Sequence, residues 1–199
     1  MNLETYRKNY TREYTRETIK ILESMTDLDS KISKLCEIFC KARDEGKTIY
    51  FMGNGGSAST ASHFVVDISK CTIDEKNRVR RFKCVSLSDN IPTMLAWAND
   101  VSYEEIFIEQ LKTLMNPGDV VVGISGSGNS KNVVKAMEYA KANGAVTIGL
   151  TGMGGGKLGQ ISSENIIVPS NNMQHIEDIH LIILHLLTSI LRDEVKGEG

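Results

Sequence analysis

The stretch from Asp119 to Gly152, DVVVGISGSGNSKNVVKAMEYAKANGAVTIGLTG, constrains the fold of this chain more than any other. It opens with Val120, Val121, Val122 and Ile124, an apolar run rich in β-branched residues, and closes with a second such run, Val146, Ile148 and Leu150. Between them Val133, Val134, Met137 and Ala140 recur at helical offsets on one face. Strand, helix and strand in so short a span predict a βαβ unit, because parallel strands need a crossover. Its first turn, Ser125-Gly126-Ser127-Gly128-Asn129-Ser130, places three hydroxyls and two glycines where a strand ends and a helix begins. Glycine lets backbone approach a ligand closely. The helix N-terminus adds unpaired N–H groups and the positive end of the dipole, which suits a phosphate or another anion. One serine suffices to cap the helix, so two hydroxyls are left over. The turn has no GxxxxGK[ST] pattern, which excludes a nucleoside-triphosphate loop.

At 199 residues the chain is long enough for one α/β domain with a helical appendage, and 41% hydrophobic content supports a core. A net charge of −2 argues against a nucleic-acid partner. No run of apolar residues is long enough for a membrane span. The polar start MNLETYRKNYTREYTRE does not read as a signal peptide. Cys36, Cys40, Cys71 and Cys84 show no CxxC and no metal-finger spacing, so a reduced, cytoplasmic chain is expected.

In chain order, residues 3–24 and 30–45 are predicted helices, with Ser30 as the cap of the second. The second carries an apolar stripe of Ile32, Leu35, Cys36, Phe39 and Cys40. The first is polar with a thin stripe of Tyr6, Tyr10 and Tyr14, a pattern better suited to a partner subunit than to the chain's own core. Thr48–Met52 is a predicted strand that runs into a second Gly-rich turn, Gly53-Asn54-Gly55-Gly56-Ser57, and then a helix over 58–69. Both turns should lie beyond the carboxyl ends of parallel strands, where doubly wound sheets bind ligands. The helix carries His63 and Asp67 on one face, spaced to chelate a metal or act as an acid–base pair. The basic run Lys70, Lys76, Arg78, Arg80, Arg81 and Lys83 reads first as a solvated loop. Further expectations are a strand over 82–87, a short helix to Trp97 broken by Asn99-Asp100, a helix over 103–115, a third loop Thr151–Lys157, and a strand over 166–168. The last helix, 173–195, holds three of the four histidines, His175, His180 and His185, beside Glu177 and Asp178. Buried imidazoles and carboxylates are costly unless paired or ligated, so chemistry is expected there.

Taken together, GNGGSASTASHF, SLSDN, WANDVSYEEIF, ISGSGNSKNV, LTGMGGGKL and EDIHLIILH resemble the phosphoheptose isomerases of the sugar isomerase (SIS) domain superfamily, in order and over nearly the whole chain. The resemblance implies an α/β fold: a single SIS domain over 29–199, with a five-stranded parallel sheet flanked by helices, flavodoxin-like and doubly wound. It implies an oligomerisation helix over 1–28 and a homotetramer with shared active sites. The implied activity is conversion of sedoheptulose 7-phosphate to D-glycero-D-manno-heptose 7-phosphate, for lipopolysaccharide or capsule heptose. Carried over, Ser125, Gly126, Ser127 and Ser130 would hold the phosphate, and Asn54, Gly55, Gly56, Asn99 and Asp100 would line the sugar. One zinc per subunit and the catalytic groups would fall on His63, Asp67, Glu177 and His185.

Two positions depart from the family, which has Glu where this chain has Asp67 and Gln where it has Glu177. Asp is a methylene shorter, a displacement of about 1 Å for a catalytic base. Glu177 and His185 are eight apart, about 12 Å along an ideal helix, so spacing alone does not join them at one metal. Asp67 or Glu177, with His185, is the expected acid–base pair of an enediol mechanism. The alternatives are an isomerase of another sugar phosphate and a non-catalytic sugar-phosphate-binding regulator akin to the replication-initiator-associating proteins.

Overall fold

The computed structural model describes residues 2–74 and 80–197. Five strands form one parallel sheet: β1 (Thr48–Gly53), β2 (Lys83–Ser86), β3 (Val120–Ser125), β4 (Val146–Thr151) and β5 (Glu164–Ile167), in the order β2-β1-β3-β4-β5. Both faces are covered. That is why β3 reads as a continuous apolar run rather than an alternation. Ile49 and Phe51 of β1, with Val120 and Val122 of β3, pack on one side with α2 (Leu28–Glu45), α3 (Gly56–Cys71) and α8 (Met173–Lys196). Tyr50, Met52 and Val121 pack on the other, with α5 (Ile108–Leu114) and α6 (Lys131–Ala142). The first core is centred on Phe39, Phe51 and Phe64; the last two meet edge to face at 5.0 Å. Truncating such a ring costs about 3–5 kcal/mol.

The strand order places the two Gly-rich turns. The chain leaves β1 for α3 on one face and leaves β3 for α6 on the other. The two turns therefore diverge at adjacent strands, and a cleft opens between their carboxyl ends.

Several expected boundaries move. Residue Asp27, not Ser30, stands at the N-cap of α2. Leu28 joins the core and draws the helix start earlier, and the Ser30 hydroxyl instead donates to the Asp27 carbonyl at 2.9 Å. Helix α4 (Ile91–Asp100) runs through Asn99-Asp100 and ends only at Val101. The expected helix over 103–115 is divided into a 3₁₀ turn, Tyr103–Glu105, and α5. Ile106, Phe107 and Ile108 are all buried in a row, which one regular helix cannot present to a single face. A short helix, α7 (Gly156–Ile161), follows the third loop. The last strand ends at Ile167 and begins earlier than expected, at Glu164.

Helix α1 (Leu3–Ser24) is exposed along most of its length; Ile21 is its buried residue. Arg80 donates to the Asp44 carbonyl and Lys83 to the Gly46 carbonyl, so these two cations close the C-terminal end of α2. Lys76 and Arg78 lie outside the described residues. All four cysteines are free. Among the described residues no helix is long and apolar enough to cross a membrane.

Candidate active site

The cleft between the turns encloses about 260 Å³ and is lined by Asn54, Gly55, Gly56, Ser57, Ile124, Ser125, Gly126, Ser127, Ser130, Met173 and Glu177. The Ser125 and Ser130 hydroxyls lie 3.1 Å apart. Ser130 occupies the N-cap position of α6, yet its side chain makes no capping bond, which leaves the hydroxyl to the cleft. The turn closes through the Gly128 N–H to the Ser125 carbonyl at 2.9 Å.

The third loop supports this turn from behind. Gly128 has φ 65°, and a Cβ there would stand 2.0 Å from the Gly155 carbonyl oxygen. Leu158 N–H donates to Gly128 O at 2.9 Å, and Lys157 N–H to Asn129 Oδ1 at 3.0 Å. The glycines of LTGMGGGKL thus allow two backbones to touch, and α8 closes the cleft from above through Met173, packed against Gly126.

At the other turn Gly55, the N-cap of α3, has φ 54°. No acid stands in the first turn of α3 and no side-chain bond caps it among the described residues. Glu177 reaches this end from α8: a Cβ on Gly56 would lie 2.8 Å from either carboxylate oxygen. The carboxylate therefore sits at the positive end of the α3 dipole. No Lys or Arg lines the cleft among the described residues. An anion in this cleft would meet hydroxyls, backbone N–H groups and the two helix ends.

Further along the α3–α8 seam, His63, Asp67 and His185 converge, with one donor atom from each within 4.8 Å of the others. Asp67 Oδ2 is 3.5 Å from His63 Nε2 and 3.7 Å from His185 Nε2. Two imidazoles and a carboxylate with an open side are the donor set of a catalytic zinc site, so the residues fit the metal that the resemblance implies. Glu177 does not join the trio. The two helices run in parallel, and Glu177 faces Gly56, about 10–12 Å up the seam by helix rise.

The expected gathering of imidazoles on α8 does not form. His175, His180 and His185 are five apart, so they point in three directions around the helix. His175 stacks on Tyr14 at 4.1 Å and shares Nδ1 with the Thr18 hydroxyl at 3.0 Å. Asp178 accepts from the Tyr14 hydroxyl, which pushes that phenol up to about 12. His180 is 1% exposed and bonded to the Thr151 carbonyl; burial pushes its pKa down to about 4. These two histidines hold α8 in place. Asn99 and Asp100 are exposed, bonded to each other at 2.8 Å, and do not line the cleft of the single chain.

Three supports of the cleft have no counterpart among the sequence expectations: Asn129, which accepts from the Lys157 N–H, and Asn132 and Tyr103, which both bond Asn54. Asn129 and Asn132 lie inside ISGSGNSKNV, where the pattern marks only a turn and a helix start. The Tyr103 contact joins residues far apart in sequence, which no local pattern signals.

Fold and cleft define a class: parallel α/β proteins whose ligand site lies at a topological switch point. The model of the SIS domain family matches residues 13–152. The chain belongs to this family and, within it, groups with the phosphoheptose isomerases. It is 38% identical over 180 residues to the phosphoheptose isomerase of Geotalea daltonii, covering 90% of this chain and 92% of that protein. Among solved structures, a phosphoheptose isomerase from Francisella tularensis superposes with a TM-score of 0.85 at 26% identity, over 94% of this chain and 98% of that one. GmhA from Neisseria gonorrhoeae gives 0.84 at 26% identity, over 92% and 97%.

Proposed function

We propose that the chain isomerises sedoheptulose 7-phosphate to D-glycero-D-manno-heptose 7-phosphate. The supporting observation is a pair of centres that α3 and α8 join: the cleft lined by the serine turn and by Glu177, and the His63–Asp67–His185 trio, about 10–12 Å from Glu177 along these helices. At about 1.2 Å per bond of an extended chain, a seven-carbon sugar with its phosphate reaches about 9–10 Å. With its phosphate in the Ser125–Ser130 turn, a sugar extended along α3 and α8 would carry C1 and C2 toward the trio. Binding energy from that remote group fixes the reacting end.

Asp67 Oδ1, the oxygen not turned toward the histidines, takes the proton from C1 of the ketose. The C–H electrons form the C1–C2 double bond, and the carbonyl electrons pass to O2, which gives the enediolate. His185 then delivers a proton to C2 from Nδ1, the ring nitrogen other than the one beside Asp67, as O1 gives up its own to O2 and becomes the aldehyde oxygen; the proton held by Asp67 returns to the imidazole to close the cycle. His63, Asp67 and His185 would hold one zinc per subunit, which when bound supplies polarisation of the sugar's carbonyl oxygen. Glu177 lies too far from the trio for the proton transfer and takes the sugar hydroxyls. Asn99 and Asp100 act on the sugar only if a neighbouring subunit delivers them to a cleft.

The reading includes a cytoplasmic homotetramer built on the helix over 1–28, supported by the exposed Leu3, Tyr6 and Tyr10 of α1, with 29–199 as the SIS domain. Its product would serve lipopolysaccharide or capsule heptose. The test is turnover of sedoheptulose 7-phosphate by the purified protein, beside a zinc determination. Zinc without turnover redirects the reading to another sugar phosphate.

A further inference from the structure

The two ligand turns are tied together by a pair of side-chain amides. Asn54 Nδ2 donates to Asn132 Oδ1 at 2.9 Å, and Asn132 Nδ2 donates to Asn54 Oδ1 at 2.8 Å. Asn132 is 2% exposed, at the start of α6, while Asn54 lines the cleft. The orientation of the pair follows from one atom that can only donate. The Val133 backbone N–H meets Asn132 at 2.9 Å, so the atom it meets is Oδ1. Asn132 therefore turns its NH₂ to Asn54, and Asn54 must turn its oxygen back. The Tyr103 hydroxyl donates to the same Asn54 Oδ1 at 2.8 Å. Ion pairs between the Tyr103–Glu105 turn and α6, Glu104 with Lys131 and Glu105 with Lys135, hold Tyr103 there.

An amide oxygen has two lone pairs, and both on Asn54 are taken; one of its two N–H groups is taken as well. We propose that Asn132 and Tyr103 are positioning residues that leave Asn54 one free polar hydrogen, the second Nδ2–H, which donates to an oxygen of the bound sugar. Asn54 then selects an acceptor on the sugar chain and is indifferent to the phosphate. This rests on the reading of the cleft as a sugar-phosphate site.

The test is calorimetric titration of the whole protein with two probes, inorganic phosphate and a heptitol 7-phosphate that cannot be isomerised. Tyr103 is 58% exposed, so Tyr103→Phe leaves the fold intact and carries the test even if the buried Asn132→Ala variant fails to fold. Tyr103→Phe is expected to weaken the heptitol phosphate roughly threefold to tenfold, the size of one hydrogen bond, and to leave inorganic phosphate unchanged. In an Asn54→Ala background it is expected to have no further effect. Equal loss for both probes, no loss for either, or a Tyr103→Phe effect that persists without Asn54 overturns the positioning role alone. A wild-type chain that does not bind the heptitol phosphate overturns the sugar-phosphate reading and this inference with it.

Discussion

Glu177 of α8 lies over Gly56 at the first turn of α3, so close that a Cβ on Gly56 would stand 2.8 Å from both carboxylate oxygens. The contact places a negative charge in the same cleft as the serine-lined turn. It steadies the α3 N-terminus and opposes an incoming dianion. Glu177→Gln is therefore expected to strengthen inhibition by inorganic phosphate roughly threefold or more, with a larger gain at low salt. The same change should lower stability by about 0.3–1 kcal/mol through the lost dipole interaction. Inhibition constants at two ionic strengths and a denaturant titration check both.

Asp67→Asn and His185→Gln should each lower turnover by at least about 100-fold, the usual size of an acid–base contribution. Both should also lose bound metal, because each removes one of three convergent donors. Steady-state kinetics with and without added zinc, beside metal analysis, checks both: full activity in either variant removes that residue from the mechanism.

Chelation of the purified protein should abolish activity, and added zinc should restore it, because the trio offers three ligands and an open side. Undiminished turnover after complete removal of metal would leave the trio as an acid–base group alone.

Gly128→Ala puts a Cβ 2.0 Å from the Gly155 carbonyl, at a φ of 65°. The expected cost is about 2–3 kcal/mol, with the phosphate turn displaced. Thermal unfolding with and without phosphate reads both: a lower midpoint, and loss of the shift that phosphate gives the native chain.

His180 supplies a pH dependence. Burial lowers its pKa to about 4 in the folded chain, against 6.5 for an ordinary imidazole. Above 6.5 neither state binds the proton and the full contribution is present. As pH falls from 6.5 to 4 the unfolded chain takes up a proton that the folded one refuses, and about 3 kcal/mol is lost. Unfolding free energies across this range should slope downward in the native protein and flatten in His180→Leu.

Much of the fold was legible along the chain, because it depends on short-range pattern. The β-branched runs at Val120 and Val146, the glycines after β1 and β3 and the apolar stripe of α2 each carry their own signal, and together they demand a parallel sheet with turns at one edge. The three-way divergence of the α8 histidines was also computable from helix geometry. Long-range packing decided the rest. Nothing in the order of residues says that Glu177 meets Gly56 while His185 meets Asp67; the alignment of α3 with α8 sets that pairing. The bond from Tyr103 to Asn54, and the contact that makes Gly155 a prop for Gly128, likewise join segments that the sequence keeps apart, and only the burial of a shared core brings them within reach.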